Sequence, residues 1–562
     1  MSNSEKLAIG RLLGWVAAIT TVVVAPWTTL DPINPPKLSM LSIGGFMCWG
    51  FLLLNSRFLT SSKFRLPTIL CGLFVFDLIL VVIFSGSNFN QEFFGTNGRA
   101  TGFVAYSSLA GLFLAAVATS THASLNRVSW FLVGTGFLSL TYGIVQAQGI
   151  DPIKWVNKYS PVVGFVGNPD FQSSLMGFSG VMAISIAINR EITKGIRIAL
   201  TVYIGLSLFV IKETKAQQGF LVFLGGLAII GLIWIYKSKL KALTLPLAGV
   251  GFFGGTVIVL GSLNMGPLAS LLHKASVIYR GDYWRAGWKM TTENPIFGVG
   301  LDSYGDWYRR SRTIEAALRR GPDVTSNAAH NVFLDFSSNG GFPLLLIYVA
   351  LMVLVVRAAF RVIKRNTGFD PVFTGLFSVW VAYQAQSVIS LNQIGLAVWG
   401  WIISGLIIGY EINSRNESDE LRVERSSRKG KSKKLGSAQA VLPSTVVVLF
   451  VGLLVGLLVG LPSLVASSKT KSAFESGDLR IIASAIDYFP QDAARANQIA
   501  YIFQQNKLEA EALAVLAESV KKYPDSYDAW KLLASLTTAS PVQIAEAKAQ
   551  MKRLDPHNPE LK

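Results

Sequence analysis

The chain has 562 residues, of which 51% are hydrophobic and only 15% are charged, and it contains 13 Trp and 34 Phe. Soluble proteins usually carry about a quarter charged residues. Here apolar runs of about 20 residues, long enough to span a bilayer, take the place of the missing charge. The composition therefore excludes a soluble enzyme and a disordered chain. Cys48 and Cys71 both lie inside apolar runs, which excludes a disulfide framework and a cysteine-based zinc site.

The apolar runs predict an all-α polytopic membrane protein with about thirteen transmembrane helices. Nine of them form an N-terminal bundle over residues 1–263, at 7–27, 38–55, 66–85, 102–121, 129–147, 171–189, 197–212, 217–236 and 243–263. Three more lie within 341–412, at 341–360, 371–390 and 394–411, and the last lies at 441–465. The first run is followed at once by further spans, which predicts an uncleaved anchor and not a signal peptide.

The positions of Lys and Arg predict the orientation, because cytoplasmic loops of membrane proteins carry an excess of positive charge. With the N-terminus in the cytoplasm, the inner segments hold twenty-four Lys and Arg and the short outer connections hold six. The segments 264–340 and 466–562 then lie outside the cytoplasm. Residues 413–440 become a basic cytoplasmic linker, whose run at 425–434 indicates a solvated loop near anionic membrane lipids. This run has no interleaved aromatic residues, so no nucleic-acid partner is expected.

The C-terminal segment 466–562 differs in composition, being rich in Ala, Leu, Glu, Lys and Gln with helical periodicity. Its Pro-containing tripeptides begin at Phe489, Tyr523 and Asp555, at intervals of 34 and 32 residues. That spacing predicts a soluble α-helical repeat domain that resembles the tetratricopeptide repeat, with a generic helical bundle as the alternative. Its expected task is contact, with a partner protein or with the chain's own outer segment.

The outer segment 264–340 is cationic and aromatic, and its last part carries a histidine, His330. Guanidinium groups bind phosphate through paired hydrogen bonds. A histidine of near-neutral pKa can take a proton from a hydroxyl group. A sugar donor carried on a lipid diphosphate needs both kinds of group at the outer leaflet. A further set of arginines is expected to form a solvated cationic helix that steers anionic donors, namely Arg309, Arg310, Arg312, Arg319 and Arg320.

Motifs for other chemistries are missing from the sequence. It has no phosphate-binding loop with Gly-Lys-Ser/Thr, no dinucleotide glycine fingerprint after a predicted strand and no His-Glu-x-x-His pair. The four histidines, His122, His273, His330 and His557, are too scattered for a typical zinc cluster. We therefore expect no metal site and no cofactor.

The segment 264–340 resembles the central signature of the O-antigen ligase and polymerase family of bacterial envelope proteins. That signature has an Arg before a Trp, a Pro-x-x-Gly-x-Gly turn, and a His-Asn pair that opens the next membrane helix. The matching residues are Arg280, Trp284, Trp288, Pro295, Gly298, Gly300, His330 and Asn331. Weaker similarities are Pro36-Lys37, the Gly-Arg-Ala-Thr-Gly run 98–102 and the Gly-Asn-Pro-Asp run 167–170. The resemblance extends over roughly 1–412.

The resemblance implies an enzyme of the bacterial cytoplasmic (inner) membrane that moves a glycan from an undecaprenyl-diphosphate donor to a lipid or glycan acceptor. It implies no metal or nucleotide, and it makes 264–340 an extracytoplasmic catalytic loop. Arg280 would hold the donor diphosphate and stabilise the leaving-group charge, and His330 would position or deprotonate the acceptor hydroxyl. The other expected substrate-binding residues are Arg285, Lys215, Gln218, Arg99, Asn331 and Trp284.

One departure from the family pattern concerns the donor site. Many relatives place a second diphosphate-binding arginine at the start of the helix near residue 217, where this chain has Gln218. Lys215 could supply the charge, but an ammonium group is a point charge and lacks the two-pronged geometry of a guanidinium.

Several alternatives stay open. His330 could be only a cap at the membrane interface, and Arg280 only a surface ion pair with Asp282. Within the family, ligation, polymerisation and protein glycosylation are not distinguished. From other classes, a polysaccharide or lipid transporter predicts paired intramembrane charges and repeated halves, whereas Asp77 is the only clear mid-span charge. A membrane scaffold predicts that deleting 466–562, but not changing His330, removes the phenotype.

Overall fold

The structure is a computed structural model that describes residues 3–155, 157, 160–262, 265, 275–426 and 443–561. The regular elements in those ranges are all helices, without any strand, which confirms the all-α prediction. Eight helices are long and apolar enough to cross a membrane, judged by length and composition. The figure of thirteen spans stays a prediction.

Each predicted span overlaps one helix. These helices are Asn3–Val22, Asn34–Leu54, Arg65–Phe84, Phe103–Thr119, His122–Ala147, Pro169–Ala187, Lys194–Glu213, Gln218–Tyr236, Thr244–Ser262, Val332–Arg365, Pro371–Ser387, Ile394–Ser426 and Pro443–Ser476. The short helices Ser56–Leu59 and Phe89–Phe94 and the 3-10 turns Ser62–Phe64 and Lys241–Leu243 lie between them. Within the outer segment lie Ala275–Glu293, Tyr304–Ser311 and Ile314–Arg320.

The helix starts follow from local sequence. Asn168 and Asp370 each cap a helix with the side chain, and each is followed by a proline at the first helical position. Such a cap satisfies a backbone N–H that has no partner inside the helix, and proline lacks that N–H altogether. Thr121 and Thr193 cap two further helices with their side chains.

Three boundaries differ from the predicted ones by about nine residues or more. The helix predicted from 341 begins at Val332, because Asn331 caps it there. The helix predicted to end at 465 continues to Ser476 and stops at Gly477, which adopts the left-handed conformation (φ 66°) that ends many helices. The helix Ile394–Ser426 runs into the predicted linker 413–440, of which residues 427–440 lie outside the described residues.

The last span packs closely along the second. Gly452, Gly456 and Gly460 face the backbone of residues 39–47, and a Cβ at Gly456 would lie 2.5 Å from the Cα of Ile43. Ser42 donates its hydroxyl hydrogen bond to the Gly456 carbonyl at 3.0 Å. Small residues spaced by four thus let two membrane helices approach and bond to each other.

The contacts separate the two ends of the helical body. One end gathers the connections predicted to be cytoplasmic, through Thr445 with Glu5, Lys237 with Asn366 and Arg365 with Ser414. The opposite end gathers residue 30, the segment 87–102, the segment 275–331 and the tail, through Leu30 with Ser467 and Ser87 with Val299. Which end faces the cytoplasm stays a prediction.

The tail consists of short helices with an apolar core of their own. Its helices are Leu479–Ser484, Ala493–Gln505, Glu509–Lys522, Tyr527–Ala534 and Pro541–Leu554, with 3-10 turns at Ala485–Asp487 and Pro559–Leu561. The second and third pack against each other, as do the fourth and fifth. The assignment of these helical pairs to the tetratricopeptide repeat stays a prediction.

A kink at Gly341 joins the glycine-rich turn of residues 295–300 to the helix Val332–Arg365. Gly341 has φ 73° and ψ −176°, so the helix is interrupted there. The Phe342 N–H donates to the Pro295 carbonyl, and the Val299 N–H donates to the Ser338 carbonyl, both at 2.8 Å. The turn therefore gives an acceptor to the Phe342 N–H and a donor to the Ser338 carbonyl, two groups that the kink would otherwise leave without a partner.

We expect Gly341→Ala to destabilise the protein by on the order of 1–3 kcal/mol, because a Cβ there meets the Ile296 carbonyl oxygen at 2.4 Å and a left-handed backbone is strained for alanine. The measurement is the thermal midpoint of the purified protein. Gly134→Ala is the matched control: Gly134 lies inside a helix with nothing near its missing Cβ, so alanine should not lower the midpoint.

Candidate functional site

His330 occupies a tight turn immediately before the helix Val332–Arg365. Its backbone is left-handed (φ 53°), a conformation that is uncommon in residues other than glycine. Asn331 fixes the turn, since its side-chain oxygen accepts from the N–H groups of Phe333 and Leu334 at 3.0 and 3.2 Å. Asp335 closes it from the next helical turn by accepting the Ala329 N–H at 2.8 Å. Hydrogen bonds to Ala329 before His330 and to Phe333 and Leu334 after it therefore fix the backbone that carries the imidazole.

A buried charge network lies beneath this turn. Arg99, 5% exposed, pairs with Asp302 at 3.0 Å and lies 3.8 Å from Asp335. It also donates to the Asn327 carbonyl at 2.6 Å. Asp302 in turn accepts hydrogen bonds from the backbone and the hydroxyls of Thr96 and Thr101. Arg99 therefore ties the turn after residue 95 to the segment that leads to His330, and buried pairing explains why its charge is tolerated.

Arg280 lies on the helix Ala275–Glu293, close to His330. Its side chain is 19% exposed, and the guanidinium has a carboxylate contact with Asp170 at 4.0 Å. The alternative of an ion pair with Asp282 is wrong, because Asp282 pairs with Arg285 and Arg319. One turn after Arg280, Tyr283 stacks on the His330 ring with centroids 5.3 Å apart. The guanidinium and the imidazole thus belong to one site.

The charges around His330 change its protonation. Burial and, to a smaller extent, the positive charges of Arg280, Arg99 and Arg320 together lower the pKa of His330 to about 4. The imidazole is therefore neutral at physiological pH, with a ring nitrogen able to accept a proton. Burial also lowers the pKa of Arg280 from its usual value, against the effect of Asp170.

The other expected residues fall into different surroundings. Asn331 acts as the helix cap described above, and Arg99 is buried beneath the site. Arg285 is exposed and pairs with Asp282. Trp284 is half-buried, and its indole N–H has no hydrogen-bond partner among the described residues. Lys215 is exposed in a left-handed turn (φ 59°).

Gln218 begins the helix Gln218–Tyr236 and is 6% exposed, with its side-chain oxygen unpartnered within the described part of the chain. The next residue, Gly219, donates its N–H to the Ser173 hydroxyl at 3.2 Å. Ser173 lies one turn from Asp170, the residue that contacts Arg280. The position where the resemblance led us to expect a second arginine therefore borders the site, but here it carries no charge.

The predicted solvated cationic helix is wrong for Arg309 and Arg312. They are 7% and 1% exposed, and both pair with Asp555 of the tail, at 3.4 and 2.6 Å. Arg310 pairs with Asp525 of the tail at 2.8 Å. The tail supplies the carboxylates that make burial of these arginines possible. The tail thus contacts the chain's own outer segment, one of the two tasks expected from the sequence.

We expect Asp555→Ala to loosen the tail, because it removes the buried carboxylate that the Arg309 and Arg312 guanidinium groups share, and breaking a buried ion pair costs about 3–5 kcal/mol. Arg312 also donates to the Pro322 and Val324 carbonyls, so the loosening should reach the segment that leads to His330. Hydrogen exchange should increase in 304–330 and 541–561. Asp528→Ala is the control: Asp528 is 74% exposed and contacts Arg309 at 3.7 Å, so exchange should stay unchanged.

Arg320, assigned from the sequence to a solvated cationic helix, acts on His330 by its charge. Three other residues at this site were not singled out from the sequence: Asp302 and Asp335 hold Arg99, and Tyr283 stacks on His330. Local signals existed for two of them. Asp302 follows the Gly-x-Gly element by two residues, and Asp335 lies one helical turn after Asn331.

The described fold and site define a multi-pass membrane protein with a cationic, histidine-containing site at one end of its helices. A family model described as O-antigen ligase matches residues 200–349, a range that includes Gln218, Arg280 and His330. The match supports the O-antigen ligase family, whose members are glycan-transferring membrane enzymes of the ligase and polymerase kind that use a lipid-linked glycan. No curated protein matches the chain.

Proposed function

We propose that this protein transfers a glycan from an undecaprenyl-diphosphate donor to an acceptor hydroxyl at the outer face of the bacterial cytoplasmic membrane. The observation that carries the proposal is the meeting of Arg280 and His330. A guanidinium that has only a long carboxylate contact lies beside an imidazole that is neutral at physiological pH. One group suits the diphosphate, and the other suits the hydroxyl.

The reaction needs little more than these two groups. The acceptor oxygen attacks the anomeric carbon of the donor sugar and forms the new glycosidic bond. The bond between that carbon and the phosphate oxygen breaks, and undecaprenyl diphosphate leaves with the bonding electrons. The acceptor proton passes to the ring nitrogen of His330, while Arg280 stabilises the negative charge that grows on the leaving phosphate.

Donor binding prepares the histidine for this role. The positive charges of Arg280, Arg99 and Arg320 disfavour protonation of His330 in the free protein. A diphosphate brings negative charge among them and offsets their effect, so the pKa of His330 rises when the donor is bound. The imidazole thereby becomes a stronger base at the moment when the acceptor must be activated.

The test uses purified full-length protein in proteoliposomes with an undecaprenyl-diphosphate-linked oligosaccharide. The expected result is release of undecaprenyl diphosphate together with a longer carrier-linked glycan or a glycosylated lipid acceptor, with equal rates with and without a chelator. In cells, deletion of the gene should remove long polymer if the protein polymerises, or strand polymer on the carrier if it ligates. No glycan transfer to any supplied acceptor would contradict the proposal.

A further inference from the structure

The arginines at 309–320 differ in what balances their charge. Arg309, Arg310 and Arg312 pair with carboxylates of the tail, and Arg319 pairs with Asp282. Arg320 alone in this group has no carboxylate within ion-pair distance among the residues that the structure describes. Two neighbours in sequence therefore differ: the charge of Arg319 is neutralised inside the protein, and that of Arg320 is not.

Neutral aromatic groups hold Arg320 in place. Its guanidinium lies 4.5 Å from the centroid of the Tyr279 ring and 5.7 Å from that of Tyr283. It also donates a hydrogen bond to the Tyr283 hydroxyl. Contacts of this kind orient a guanidinium without cancelling its charge, and most of its five N–H donors remain for another acceptor.

These contacts place Arg320 at the site of Arg280 and His330. Tyr279 directly precedes Arg280 on the same helix, and Tyr283 stacks on His330. The charge of Arg320 acts on the His330 ring, as does that of Arg280. Arg320 is a half-buried guanidinium without a carboxylate, and Arg280 beside it has only a 4.0 Å carboxylate contact, so the site suits a ligand that carries more than one negative charge.

We propose that Arg320 is the second diphosphate-binding arginine of this protein and holds the donor together with Arg280. The inference rests on the proposed function, since it concerns the donor of the same reaction. A diphosphate has two phosphoryl groups, and two guanidinium groups can each take one through paired hydrogen bonds. The second arginine then comes from the helix Ile314–Arg320, and the uncharged Gln218 is no obstacle to donor binding.

The test measures binding of farnesyl diphosphate, a short soluble isoprenoid diphosphate, to the full-length protein in lipid nanodiscs. We expect Arg320→Gln to weaken the affinity about 10- to 100-fold, the usual effect of losing a charge-assisted hydrogen bond. Arg320→Lys should fall in between, because the charge stays while the paired geometry is lost. Arg319→Gln removes the same charge one residue away and should stay within about threefold, because the charge of Arg319 is already balanced by Asp282.

Three outcomes would overturn the inference. They are unchanged affinity in Arg320→Gln, an equal loss in Arg319→Gln, and a wild-type protein that does not bind farnesyl diphosphate. The thermal midpoint of each variant shows whether it is folded. If Arg320→Gln does not fold, the affinity of Arg320→Lys provides the test. If farnesyl diphosphate binds with the expected pattern but no glycan is transferred, the proposed function is refuted, whereas the diphosphate site at Arg320 is retained. Transfer with an unchanged affinity in Arg320→Gln would refute this site alone.

Discussion

Arg280→Gln should lower kcat for glycan transfer by about 100- to 1000-fold, the range seen when one donor to a developing oxyanion is removed. The reason is the state of the guanidinium in the free protein. Arg280 is largely buried and has only a 4.0 Å contact with Asp170, so its charge is available to the donor. Glutamine keeps a hydrogen-bond donor at the position but cannot balance the charge that develops on the leaving diphosphate.

The matched control for Arg280→Gln is Lys289→Gln. Lys289 lies on the same helix, is 42% exposed in its side chain and pairs with Glu293 at 3.9 Å. The Lys289→Gln substitution removes one positive charge from the helix and does not alter the His330 turn, so kcat should change by less than about threefold. A comparable loss in both variants would mean that overall charge, and not the position of Arg280, supports the reaction. Arg280→Gln with wild-type kcat would contradict the proposed role directly.

The helices could be predicted from the sequence because their signals are local. Apolar runs placed each predicted span on a helix, and the capping residues Asn168 and Asp370, each followed by proline, stand directly before two of the observed helix starts. The start at Val332 was misplaced although Asn331 is a good cap. The first turns of this helix are polar, and Gly340-Gly341 interrupts the apolar run, so the sequence does not show that the helix continues across a kink.

The arrangement of the arginines could not be predicted, because their partners are distant in sequence. Arg312 is buried against Asp555, which is 243 residues away along the chain. Arg319 and Arg320 are adjacent and identical in type, and only the folded positions of Asp282 and Tyr283 separate their roles. Composition correctly indicated a cationic segment, whereas which charge stays available is a property of the tertiary structure.

Arg280 and His330 present the opposite case. The resemblance implied that they act together although 50 residues separate them, and the folded chain puts them in one site. They are supported by the ion pairs of Arg99 with Asp302 and Asp335. These pairs join the segment 87–102 to the outer segment and to the helix Val332–Arg365, which are distant in sequence. The residues that we expect to touch substrate were recognised from their chemical type, whereas the residues that position them are recognised from packing.

His330→Ala should lower kcat by about 100- to 10,000-fold, because the substitution removes the base that takes the acceptor proton. The pH profile provides a second measurement on the wild type. The neutral imidazole is the active form, so activity is lost as pH falls through the pKa of His330. In the free protein that pKa is about 4, so kcat/KM should stay level down to about pH 5 and then fall. The acid limb of kcat should lie at higher pH, because the bound diphosphate offsets the neighbouring positive charges.

Two controls separate this role of His330 from a structural one. His122→Ala changes a histidine at the opposite end of the body, where it contacts Asp370 at 3.4 Å, and should leave kcat unchanged. Arg280→Gln removes one of the charges that lower the pKa of His330, so the histidine should titrate at higher pH in that variant, measured by NMR of isotope-labelled histidine. If His330 were only a helix cap, its substitution would lower the thermal midpoint, and the remaining activity would keep the pH profile of the wild type. Loss of the acid limb together with an unchanged midpoint is therefore the result that assigns the proton transfer to this imidazole.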